Sequence, residues 1–142
     1  MEKVTKVAER ILLGSAGLAL VLGLIIWIGD AHALIGLHQL LGYALVASLW
    51  TLAGIAARSQ VPIGVVVGAV AWGVLVLALG WTQEYLLTGS WHWVVLVLHP
   101  VISMASVPWG RWLASLIRRN ERAAVPGPGE ASDAAGREAW VR

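Results

Sequence analysis

The chain of 142 residues contains no cysteine and no phenylalanine, and only 13% of it is charged. Without cysteine there can be no disulfide, no thiolate metal site and no cysteine nucleophile. The scarcity of charge is also positional. Between Arg10 and Arg58 the one charged residue is Asp30, and between Arg58 and Arg111 it is Glu84. A soluble domain is about 25% charged and about 45–50% apolar; here 58% of the residues are hydrophobic. Water is therefore the wrong solvent for most of the chain, and no stretch is left over for a separate soluble domain. The formal charge of +2 does not point to nucleic acid, because the basic residues flank apolar segments and form no patch of their own. Nor is there a nucleophile, base and orienting group in a spacing that suggests an enzyme with its own catalytic residues.

What the sequence does have is apolar runs of membrane length. A spanning helix needs about 20 mainly apolar residues at about 1.5 Å each. Four segments qualify, at about 11–29, 34–57, 62–81 and 93–116. The first ends at Asp30, and the second is stopped by Arg58. Pro62 suits the first turn of the third, where its missing N–H would have had no partner anyway. Pro100 and Pro108 lie inside the fourth and should bend it. The expected fold is all-α, a polytopic membrane protein with four transmembrane helices in an up-down bundle. A short flank (1–10) precedes the transmembrane domain (11–117), and a disordered tail rich in proline, glycine and small residues (118–142) follows it.

Lys and Arg set the expected orientation. Lys3, Lys6 and Arg10 precede the first span, Arg58 sits in the second connection, and Arg111, Arg118, Arg119 and Arg122 come at the end of the fourth; the first and third connections hold no Lys or Arg. Both termini are thus expected in the cytoplasm of a bacterial inner (plasma) membrane, with lipid as the surrounding partner. Most of the nine tryptophans fit interfacial belts: Trp27, Trp81, Trp91 and Trp93 outside, Trp50, Trp109 and Trp112 nearer the inside, with Trp72 in mid-span the exception. The first span with Ala31-His32-Ala33 also imitates a cleavable signal peptide, but its apolar stretch exceeds the usual length of about 7–15 residues. The glycines of the first and third spans, including Gly64-xxx-Gly68, fit ordinary close helix packing.

The chemistry lies in four histidines, His32, His38, His92 and His99, all mapping toward the outer side. A histidine within hydrocarbon is costly and marks a functional site by default. At 1.5 Å per residue, His38 lies about 8 Å and His99 about 9 Å below the interface. The second and fourth spans of an up-down bundle run in the same direction and sit diagonally, so both imidazoles can point at one central object. Two neutral imidazoles on facing helices can hold a haem iron from both sides. Gly42 and Ser103 lie at i+4 from His38 and His99 and leave room on the same faces for a flat group, and Gly36 is expected to add more. Pro100 frees the carbonyl of Leu96. A bare metal ion would want more ligands at that depth than Gln39 and Ser103 can supply. His92, His32, Gln83, Thr82 and tryptophan N–H groups are the candidate donors to haem propionates; a second haem between His32 and His92 is the sharper alternative, and interfacial hydrogen bonding the simpler one.

Gly36-Leu37-His38-Gln39-Leu40-Leu41-Gly42-Tyr43, the apolar third span, and the stretch from Trp91-His92-Trp93 through His99 together resemble one half of haem A synthase and the four-helix core of membrane b-type cytochromes. The resemblance covers about 11–116 and implies haem b ligation by His38 and His99. It also implies a role in electron transfer, with quinone and partner membrane or redox subunits as expected partners. The alternative is a cofactor-free protein, either an accessory subunit of a membrane complex or a small transporter; few mid-span polar groups beyond Ser48 and Thr51 are available to line a transport path.

Overall fold

The computed structural model describes residues 2–29 and 31–124. Among these residues the fold is all helical, with α1 (Glu2–Gly29), α2 (Ile35–Arg58), α3 (Ile63–Thr82) and α4 (His92–Ala123), and 3-10 turns at His32–Leu34 and Gly89–Trp91 leading into α2 and α4. All four helices are long and apolar enough to cross a membrane. Large apolar side chains such as Leu18, Ile28, Leu40, Ile63 and Val67 lie more than half exposed on the outside of the bundle. That surface suits lipid and not water.

Two helices run further than their apolar stretches require. α1 begins at Glu2 rather than near Ile11, with a Glu2–Lys6 ion pair at 2.6 Å one turn apart, and Thr5 and Ala8 are already buried. α4 continues through Ala123, so Arg118, Arg119 and Arg122 stand on helix rather than in a tail. Tertiary contacts explain the extension: Arg118 donates to the Glu9 carboxylate at 3.0 Å, and Asn120 donates to the Ser59 carbonyl at 2.8 Å. The remainder of the expected tail, residues 125–142, lies outside the described residues.

The turn between α2 and α3 closes tightly. Gln60 takes a left-handed conformation at φ 58°, and the Val61 N–H reaches back to the Ala56 carbonyl at 3.1 Å, a six-residue closure typical of helix C-termini. Pro62 then starts α3, as its fixed φ favours. At the other end, Leu87 and Gly89 take positive φ in the connection to α4.

Among the described residues α1 and α3 do not touch, whereas α2 and α4 meet across the short diagonal. These two helices present their interior at the same spacing from their histidines. α2 turns His38, Gly42, Leu45, Leu49, Leu52 and Ala53 along one stripe; α4 turns His99, Ser103, Ser106, Gly110, Leu113 and Ala114 along its own. The hairpins α1–α2 and α3–α4 thus present matching interior stripes, with His38 on one and His99 on the other.

Packing is uneven along the bundle. At the basic end, where the helix termini carry Lys and Arg, Leu12, Leu49, Leu52, Leu113 and Ile117 are fully buried in one cluster. Since lipid tails are as apolar as leucine, close dispersive contact holds this cluster together. Gly110 permits it: a Cβ there would lie 2.7 Å from Leu12 Cδ2. At the histidine end no residue of α1 from Gly17 on, none of α2 before Leu45, and none of α3 after Val76 is buried, and α4 buries Val95 alone before Ser106. The hairpins also differ. Ser15 and Ser48 keep α1 close to α2, while the corresponding α3 and α4 positions hold Trp72 and Trp109, stacked at 5.5 Å.

Candidate cofactor site

His38 and His99 meet at the sparsely packed end. Their ring centres are 6.1 Å apart with planes tilted by 54°. The fold produces this meeting directly, because each histidine occupies the interior stripe of its helix and those helices bridge the short diagonal of the bundle.

Each imidazole lies against a glycine of the preceding helix. A Cβ at Gly23 of α1 would sit 3.2 Å from His38 Cε1, and one at Gly80 of α3 would sit 3.6 Å from His99 Cε1. A side chain at Gly23 would crowd the His38 ring, whereas a Cβ at Gly80 would only reach ordinary contact with His99. The His38 Nδ1–H donates to the Ala19 carbonyl at 3.0 Å. A carbonyl can only accept, so Nδ1 carries the proton and the lone pair of a neutral ring is left on Nε2. Such a backbone bond is the usual outer contact of a metal-ligating histidine, fixing ring orientation and raising ligand basicity. His99 Nδ1 is buried and has no hydrogen-bond partner among the described residues.

The separation of the ring centres is the quantity to compare with ligation by two imidazoles. Two imidazoles sharing one metal, with metal–nitrogen bonds of about 2.0 Å and ring centres about 1.1 Å behind each nitrogen, have centres about 6 Å apart. Among the described residues no three His, Asp or Glu side chains converge as a bare ion would require. A haem-like group, which brings most of its own donors, would need only two side chains. Space beside the rings agrees: nothing lies within 4 Å of a Cβ placed at Gly42, and Ser103, the equivalent position on α4, is small with its hydroxyl unpartnered.

The remaining candidates lie farther out. His92 continues the interior stripe of α4 and is half-buried; its Nδ1–H donates to the Leu86 carbonyl at 3.3 Å. His32 is exposed on the turn before α2. The Thr82 hydroxyl is engaged with the Ala78 carbonyl of its own helix. Trp81 donates to the Tyr43 hydroxyl at 3.0 Å on the outside of α2 and α3. Gly36 departs from expectation. It is exposed on the face of α2 opposite His38, because two residues turn a helix by about 200°, and it adds no room at the rings.

Gly23, Gly80 and the Ala19 carbonyl are parts of the site that sequence reasoning missed. A signal for the glycines exists once the chain is read as two hairpins aligned on His38 and His99. Each histidine-bearing helix is then preceded by a helix with glycine at the matching depth. No family model, curated protein or solved structure matches the chain, so the geometry of the two histidines carries the functional argument by itself.

Proposed function

We propose that this protein is a membrane haem-binding protein of b-type cytochrome character, holding one haem b between His38 and His99 and taking part in electron transfer. The observation that carries this reading is the 6.1 Å approach of the two imidazoles inside a bundle whose neighbouring helices offer glycine at both rings. Haem b bound there would supply a one-electron carrier. The protein's own part is to present Nε2 of His38, held by Ala19, to keep the flanks of both rings free of side chains, and to surround the pair with apolar helix. With His38 and His99 both holding it, haem would serve to carry electrons rather than to activate a further ligand. Resemblance to one half of haem A synthase points the same way.

The Lys and Arg distribution supports a bacterial inner (plasma) membrane setting with both termini cytoplasmic and the histidine pair toward the outer face. One cofactor near one face requires redox partners, and quinone and partner membrane subunits are the classes that fit. The test is substitution: His38→Ala and His99→Ala, purified from membranes, should each lose bound haem while inserting in normal yield. Full low-spin absorbance in both variants would overturn the assignment and leave a cofactor-free accessory subunit as the better reading.

A further inference from the structure

The interior stripe of α4 remains polar for two turns beyond His99. Ser103 Oγ and Ser106 Oγ are buried without a hydrogen-bond partner among the described residues, and so are the indole nitrogens of Trp72 and Trp109. Ser106 is wholly inaccessible. With His99 Nδ1 these make five unpartnered polar atoms between the histidine pair and the tryptophan stack.

Apart from Ser59 at the end of α2, whose hydroxyl is also buried and unpartnered, these hydroxyls differ from the others of the bundle. Ser15, Ser48, Thr51, Thr82 and Ser115 each donate to a carbonyl of their own helix, the usual refuge of a hydroxyl in an apolar helix. Ser103 and Ser106 do not. Packing does not demand polarity here either, because the equivalent α2 positions are Gly42 and Leu45. An indole N–H can only donate, so Trp72 and Trp109 need an acceptor, and a hydroxyl can both give and take. A buried polar group left unmet costs about 1–3 kcal/mol, and these five lie on α4 between His99 and Trp109 or on Trp72 stacked against it.

We propose that this region is a water-binding column, in which buried water bridges the Ser103 and Ser106 hydroxyls and the Trp72 and Trp109 indoles and supplies the acceptor for His99. Water makes the two to four hydrogen bonds that such a cluster offers. The column does not depend on haem. If haem is bound, Ser103 becomes a positioning residue, acting on His99 through water as Ala19 acts directly on His38. The two ligands then differ: one is held by backbone, the other by a hydrated chain leading to the middle of the bundle.

The test uses the full-length protein labelled with 15N-tryptophan in detergent micelles, with the Trp72 and Trp109 indole signals assigned from Trp72→Phe and Trp109→Phe. Water-to-indole cross-relaxation should appear at both indole protons in the wild type and should weaken in Ser106→Ala. Indole protons at non-hydrogen-bonded shifts, with cross-relaxation to aliphatic protons only, would overturn the column. This readout is taken without haem, so its failure and the failure of the haem reading are separate results. In haem-loaded protein Ser103→Ala should raise the midpoint potential by weakening the hydrogen bond at His99, with the bis-histidine spectrum retained; an unchanged potential would remove Ser103 from that role.

Discussion

The His38 Nδ1–H donates to the carbonyl of Ala19, one helix away, at 3.0 Å. This bond crosses from α1 to α2 at the end of the bundle where neither helix buries a side chain, and it leaves Nε2 of His38 without a proton. The relationship depends on Gly23, one turn further along α1, whose missing Cβ leaves space for the ring.

Widening that glycine should therefore act on the site and leave the bundle intact. Gly23→Val displaces His38 Cε1 and breaks its bond to Ala19; loss of an outer contact of this kind lowers metal affinity about 10–100-fold. Haem titration of purified Gly23→Val should show a weakening of that order. Gly36→Ala, on the opposite face of α2, is the matched control and should titrate like the wild type.

Gly110 tests the other end. Its added Cβ would meet Leu12 Cδ2, so this completely buried side chain must shift within the packed cluster. Overpacking of this sort costs about 1–3 kcal/mol. Gly110→Ala should lower the midpoint of denaturant unfolding in mixed micelles while leaving the histidine pair spectroscopically unchanged. A variant as stable as the wild type would show that the contact between α1 and α4 is looser than its geometry indicates.

The absence of cysteine makes topology directly measurable, since any single introduced cysteine is the sole thiol. Gln60→Cys and Gly89→Cys occupy connections at opposite ends of the bundle. In sealed right-side-out vesicles an impermeant maleimide should label Gly89→Cys and spare Gln60→Cys. The reverse pattern would invert the proposed orientation, and labelling of both would contradict a four-span topology.

The spans could be read from the sequence because 20-residue apolar runs punctuated by Asp30, Arg58, Pro62 and Glu84 leave few alternatives. The meeting of His38 and His99 was legible for the same reason: in an up-down bundle, equal depth on the second and fourth helices places two side chains opposite one another. Helix ends were less legible. Charge normally ends an apolar run, yet Arg118 and Glu9 pair across helices and carry α4 onward, a long-range contact with no local signal. Gly36 was misjudged because proximity in sequence stood in for shared face. The Trp72–Trp109 stack was hidden because interfacial anchoring accounts for tryptophan as readily as interior packing does.

The central claim is tested most directly by the visible absorption spectrum of detergent-purified protein expressed with adequate haem, recorded oxidised and then dithionite-reduced. A sharp reduced α-band with a shifted Soret, at one haem per chain, is predicted for a low-spin centre held by His38 and His99. Tryptophan absorbance alone, persisting after haem is added back, would contradict it.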